Sequence, residues 1–208
     1  MPLDLKALLA PPQTALLMME CQEAIVGQGG RLGALAEAVA RHGTIGSIQR
    51  VLTAARAAHV PVFHCTMARR EDGGGAVANC RLLAATRKSG APMLLGSPQQ
   101  AVVSELAPTG GDYVIARYHG LTPFHGTELD AILRNLGVRT VVATGVSVNI
   151  GVLGLTIEAV NSGYQVVIPR EAVTGTPDTY VDAVLENTLG LLATVTRVDD
   201  VVAAWRST

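Results

Sequence analysis

Six short apolar runs recur along the chain, and their spacing restricts the folds open to it. They are TALLMME from Thr14, PVFHCT from Pro61, DYVIAR from Asp112, RTVVATG from Arg139, YQVVIP from Tyr164 and ATVTRV from Ala193. Most are apolar almost throughout, the pattern of strands covered on both faces. The last four recur about every 25 to 30 residues, the length of a right-handed strand-helix-strand crossover. Helical stripes lie between them: Ile45, Ile48, Val51, Leu52 and Ala55; Leu129, Ile132, Leu133 and Leu136; Val181, Val184, Leu185 and Leu192. Thr127 with Asp130 resembles a capping box, and Thr176 before Pro177 resembles an N-cap with proline in the first turn. The fold class expected is α/β, a three-layer α/β/α sandwich around a mostly parallel six-stranded sheet.

Two stretches between the second and third strands, Glu71 to Ala78 with its GGG and Lys88 to Gln99, read as loops that could cover a site. Gly73 to Gly75 do not form a phosphate loop, because no GK[ST] follows. The tail VDDVVAAWRST reads as a short helix, with Trp205 packed on the domain or on another subunit.

With 208 residues, 49% of them hydrophobic, one domain over residues 1–208 with a sizeable core is expected. A net charge of -1 and 3% aromatic residues offer neither a phosphate-tracking surface nor base-stacking platforms, so no nucleic-acid partner is expected. Mean hydropathy is +0.33, yet every apolar run is interrupted before bilayer length, so no membrane partner is expected either. The opening MPLDLKALLAPPQ lacks a basic region leading to a cleavage site, which makes a cytoplasmic location the expectation. Cys21, Cys65 and Cys80 form no CxxC pair and read as reduced thiols.

In an open parallel sheet, ligands bind beyond the carboxyl ends of the strands. The first strand ends at Glu20-Cys21-Gln22, the second at His64-Cys65-Thr66, the third at Arg117-Tyr118-His119, and the fourth at Gly145 to Gly151. Strand alternation sets Met18, Glu20 and Gln22 on one side, Met19 and Cys21 on the other. No HxH or HExxH spacing exists, and neither a metal site nor a cofactor is expected.

ALLMMECQEA, YVIARYHGLTPFHGTELDAILRNLGV and TVVATGVSVNIGVLGLTIEAVNSGYQVVIPREAV, in this order and spacing, resemble the isochorismatase-like cysteine hydrolase superfamily of isochorismatases, nicotinamidases and related amidases. The resemblance runs from Thr14 to about Val198 and implies a hydrolase with a small-molecule substrate, assembled as a homodimer or higher homo-oligomer. It implies a triad of aspartate, lysine and cysteine, at positions that here hold Glu20, Arg117 and Gly151. It also implies a cis peptide between Val146 and Ser147. Candidate substrate contacts are Gln22, His64, Val146, Ser147 and Ile150.

Glycine has no atom with which to attack a carbonyl, which excludes an acyl-enzyme at position 151. True isochorismatases, which this chain also resembles at the turn, hydrolyse a vinyl ether without a protein nucleophile. Glu20 would then protonate the enol carbon, and Arg117 would bind a substrate carboxylate or stabilise developing negative charge. Gly151 would leave room for substrate or water, with the amides of the helix start as an anion site. Against this stands a bidentate Glu20–Arg117 pair that fills the pocket of an inactive homologue, one that binds a metabolite or serves as an oligomeric interaction module. A third reading makes Cys21 or Cys65 a nucleophile in place of the buried small hydrophobe that free cysteine usually is. His64 reads either as a substrate contact or as a satisfied core histidine; His119 and His125, flanking FHGTELD, read as loop or capping residues.

Overall fold

The computed structural model describes residues 4–27, 33–88 and 93–206. Its strands are β1 (Thr14–Met19), β2 (Val62–Met67), β3 (Tyr113–Arg117), β4 (Thr140–Val146), β5 (Gln165–Pro169), β6 (Val173–Thr174) and β7 (Thr194–Thr196). They form one parallel sheet in the order β3-β2-β1-β4-β5-β7, with β6 paired to β4. The six expected runs are all present; the two-residue β6 was too short to carry a periodic signal.

The helices are α1 (Leu5–Leu8), α2 (Glu23–Val26), α3 (Gly33–His42), α4 (Thr44–Ala57), α5 (Arg81–Lys88), α6 (Leu129–Asn135), α7 (Leu153–Asn161), α8 (Asp178–Val184), α9 (Gly190–Leu192) and α10 (Val198–Arg206). A wider π turn, Val148–Val152, leads into α7, and another, Leu185–Leu189, joins α8 to α9. Alternation along the strands divides the apolar side chains between two clusters. Leu16, Met18 and Val142 pack with Ile48, Val51 and Leu52 of α4 and with Val201 and Trp205 of α10. Leu17, Met19 and Phe63 pack with Leu129 and Leu133 of α6, Leu155 of α7 and Val184 of α8. The sheet is therefore covered on both faces, as its near-continuous apolar strands require.

Trp205 packs on its own chain, donating from Nε1 to the Leu9 carbonyl at 3.0 Å. The Leu129 amide donates to Thr127 Oγ1 at 3.2 Å, but Asp130 does not complete a capping box; its carboxylate instead takes the Arg134 guanidinium and the Tyr164 hydroxyl. Nor does Thr176 cap α8: its peptide bond to Pro177 is cis, and Pro177 occupies the N-cap. The Val146–Ser147 peptide is also cis, as the resemblance implies. Part of the second expected loop, residues 89–92, lies outside the described residues. No described helix is long and apolar enough to cross a membrane.

Strand order reverses between β1 and β4. Connections from β1 run outward through β2 and β3, and those from β4 run the other way through β5 and β7. A crevice is left where the carboxyl ends of β1 and β4 part, and ligands bind at such points. Gly145 makes the closeness of these two strands possible: it has φ +98°, and a Cβ there would lie 2.1 Å from the Met19 carbonyl oxygen.

Candidate active site

β1 is followed by Glu20, whose backbone is left-handed at φ 53°. This turn resets the alternation of side chains. The Cys21 side chain lies in the cluster of Leu16 and Met18, whereas uninterrupted strand alternation sets it with the Met19 side chain, which lies in the other cluster. The Glu20 amide remains tied to the sheet, donating to the Cys65 carbonyl at 2.9 Å, while its carboxylate is released into the crevice.

There it meets the last residue of β3. Arg117 donates from Nη2 to Glu20 Oε1, and from Nε to the Gly120 carbonyl at 3.3 Å. The Arg117 side chain is 3% exposed and that of Glu20 19%, so the carboxylate faces the opening and the guanidinium lies behind it. Arg117 Nη1 is buried without a hydrogen-bond partner among the described residues.

These two residues line a cavity of about 590 Å³ together with Ser147, Asn149, Ile150 and Gly151 at the start of the helix after β4. The three positions of the expected triad therefore converge at the switch point. Met67, Leu83, Met93 and Leu121 supply much of the apolar wall, and Arg69 a second guanidinium. A larger groove of about 860 Å³ between α4 and α10, lined by Arg50, His59 and Trp205, contains none of the candidate residues. Of the two, the smaller cavity is the candidate site, because polar groups from several strand ends converge there among the described residues.

Gly151 does not hold space open as expected. A Cβ at this position would lie 2.9 Å from the Val146 carbonyl oxygen and 3.0 Å from Met19 Cε. The direction a side chain would take is already filled by Met19 and by the strand end, so the ligand space lies beside Gly151.

Three of the proposed substrate contacts are not among the residues lining the cavity. Gln22 is fully buried and spends its amide on the scaffold. It donates to the carbonyls of Met67 at 2.8 Å and Gln100 at 2.7 Å, and accepts from the Met67 amide at 2.7 Å. Val146 is 1% exposed in the core. His64, midway along β2, bonds through Nε2 to Asp112 Oδ2 at 3.2 Å, and the same oxygen pairs with Arg56. Burial holds the imidazole below its ordinary value of 6.5, although Asp112 opposes the shift. His64 is thus a core histidine; its partner precedes β3, at the end of the sheet opposite the cavity.

Cys21 and Cys65 are buried, and burial pushes both thiols up to about 12, which leaves them protonated and unreactive at neutral pH. Among the described residues, no cluster of three His, Cys, Asp or Glu side chains could hold a metal ion.

The fold and site define a class: a three-layer α/β protein with a cavity at its switch point and the Glu20–Arg117 ion pair on the cavity floor. The chain belongs to the isochorismatase domain family, whose model matches residues 14–200. It is 30% identical over 205 residues to the ureidoacrylate amidohydrolase RutB of Pseudomonas syringae pv. syringae, covering 91% of this chain and 82% of that one. The RutB of Rhizobium rhizogenes is 29% identical over 210 residues, covering 94% and 84%. The crystal structure of a cysteine hydrolase from Pseudomonas syringae pv. phaseolicola superposes with a TM-score of 0.81 at 23% identity, covering 95% of this chain and 94% of that one.

Proposed function

We propose that this protein hydrolyses a small amide or ureide by direct attack of water, with Glu20 as general base and no covalent intermediate. One observation carries the reading: the Glu20 carboxylate, ion-paired with Arg117, faces the cavity beside the helix start that contains Gly151. A carboxylate in an ion pair is the proton-accepting form. It can take a proton from water as the oxygen attacks the carbonyl carbon, then pass that proton to the departing nitrogen. The substrate oxygen would rest at the helix start, where backbone N–H groups favour developing negative charge. Vinyl-ether hydrolysis would need Glu20 to donate a proton, the opposite role. Sequence relatives named as amidohydrolases also support an amide bond as the target.

A second reading, a catalytically inactive binding protein, is favoured by the way Glu20 and Arg117 engage each other and by the filled space at Gly151. Assays of ammonia release from small amides and ureides, beside pyruvate release from isochorismate, separate the possibilities. The proposal predicts ammonia release that Glu20→Gln lowers about 10²-fold or more. Pyruvate release lost in the same variant would restore vinyl-ether hydrolysis, and the absence of both products would favour the binding protein.

A further inference from the structure

Beyond the triad positions, the cavity wall contains Arg69, two residues past the end of β2. Its backbone is fixed on both sides: the amide donates to the Met93 carbonyl at 2.7 Å, and the carbonyl accepts from the Leu95 amide at 3.1 Å. The side chain is half-buried and donates from Nη2 to Thr86 Oγ1 at 3.1 Å. Among the described residues it forms no ion pair with a carboxylate, whereas Arg117 has Glu20.

The charged groups among the described lining residues are Glu20, Arg69 and Arg117. Glu20 offsets Arg117, which leaves the positive charge of Arg69 beside Leu82, Leu83 and Met93. Removing a cation from water into an apolar wall is unfavourable unless an anion meets it. A planar guanidinium with free N–H groups suits a carboxylate, which it can bind with two parallel hydrogen bonds. One net positive charge matches one carboxylate better than a phosphate dianion.

We propose that Arg69 is a specificity-determining residue that binds the carboxylate of a monoanionic substrate while the amide or ureide end lies over Glu20. The orientation of the substrate rests on the hydrolytic reading above, but the carboxylate site can be tested without turnover. Arg69 would thus select amido or ureido acids over neutral amides of the same size.

The test is the binding of small monocarboxylates, propionate and N-carbamoylglycine, to the full chain. It is read by calorimetry and by thermal shift at matched ionic strength, with propionamide and N-carbamoylglycinamide as neutral counterparts and inorganic phosphate as a further arm. The wild type should bind the acids more tightly than their amides. Arg69→Gln should weaken acid binding about tenfold to a hundredfold, with little change for the amides, while Arg69→Lys recovers part of the loss. Equal binding of acids and amides by the wild type, no binding of either acid, or tighter binding of phosphate would each overturn the assignment. So would acid binding that survives in Arg69→Gln. Failure of the hydrolytic reading gives a different result, carboxylate binding that depends on Arg69 without any release of ammonia.

Discussion

Arg117 Nη2 donates to Glu20 Oε1, joining the residue that follows β1 to the last residue of β3 across the cavity floor. The two partners are not equivalent. Arg117 is 3% exposed, and removing Glu20 leaves its charge without compensation, whereas Glu20 at 19% can regain some water when Arg117 is removed. Glu20→Ala is therefore expected to cost about 3 kcal/mol, the low end for breaking a buried pair, and Arg117→Met to cost less. Urea unfolding of both variants would check the order; equal costs would place the two charges in similar surroundings.

Gly151 sits against Met19, and the crowding there has a measurable sign. Gly151→Ala should destabilise by about 1 to 3 kcal/mol, because the Val146 carbonyl cannot retreat as easily as the end of a methionine. Shortening Met19 to alanine should make the Gly151→Ala cost smaller than it is in the wild type. A double-mutant cycle by denaturant unfolding measures this coupling, and strict additivity would mean that the two positions do not compete for space.

The thiols offer a check on nucleophile assignment. Cys80 is exposed, whereas burial pushes Cys21 and Cys65 up to about 12. Iodoacetamide should modify native protein at Cys80 alone, counted by intact mass, and leave hydrolysis unchanged. Inactivation that follows labelling of Cys65 or Cys21 would instead support the cysteine-amidase reading.

His64 predicts the acid side of the stability profile. Burial lowers its affinity for protons in the fold, whereas the unfolded chain titrates near 6.5. As pH falls below about 6.5 the unfolded state binds more protons than the folded one, so stability is lost on acidification down to the lowered folded value. Above the unfolded value this group contributes no pH dependence. Replacing His64 with glutamine should flatten that part of the profile in denaturant titrations at stepped pH.

The sheet was legible because its strands are covered on both faces, so each is an uninterrupted apolar run in sequence. The helix α3 was readable in principle from Leu35, Ala38 and Val39 at helical spacing, but alanines dilute the stripe. The convergence of Glu20, Arg117 and Gly151 followed from the ends of strands and from resemblance. Side-chain directions did not follow. The left-handed turn at Glu20 changed the side on which Cys21 packs, and no composition signal marks such a turn at a glutamate. Gln22 looked like a ligand contact because polar residues at strand ends can serve a ligand or the scaffold, and only its bonds to Met67 and Gln100 decide which. His64 stays open in sequence between a substrate contact and a core histidine, because the partner that settles it, Asp112, lies 48 residues away. Arg69 was overlooked because the second strand runs on to Met67, which puts the first residues beyond it further along than expected.

The most direct test of the account is the rate of ammonia release from small amido and ureido acids by the wild type and by Glu20→Gln, compared once the variant's thermal stability has been matched to the wild type. Glutamine can still accept the hydrogen bond from Arg117 but cannot take a proton from water. The account predicts turnover by the wild type and a fall of about 10²-fold or more in the variant. Undiminished turnover by Glu20→Gln would contradict the assignment of Glu20 as the base.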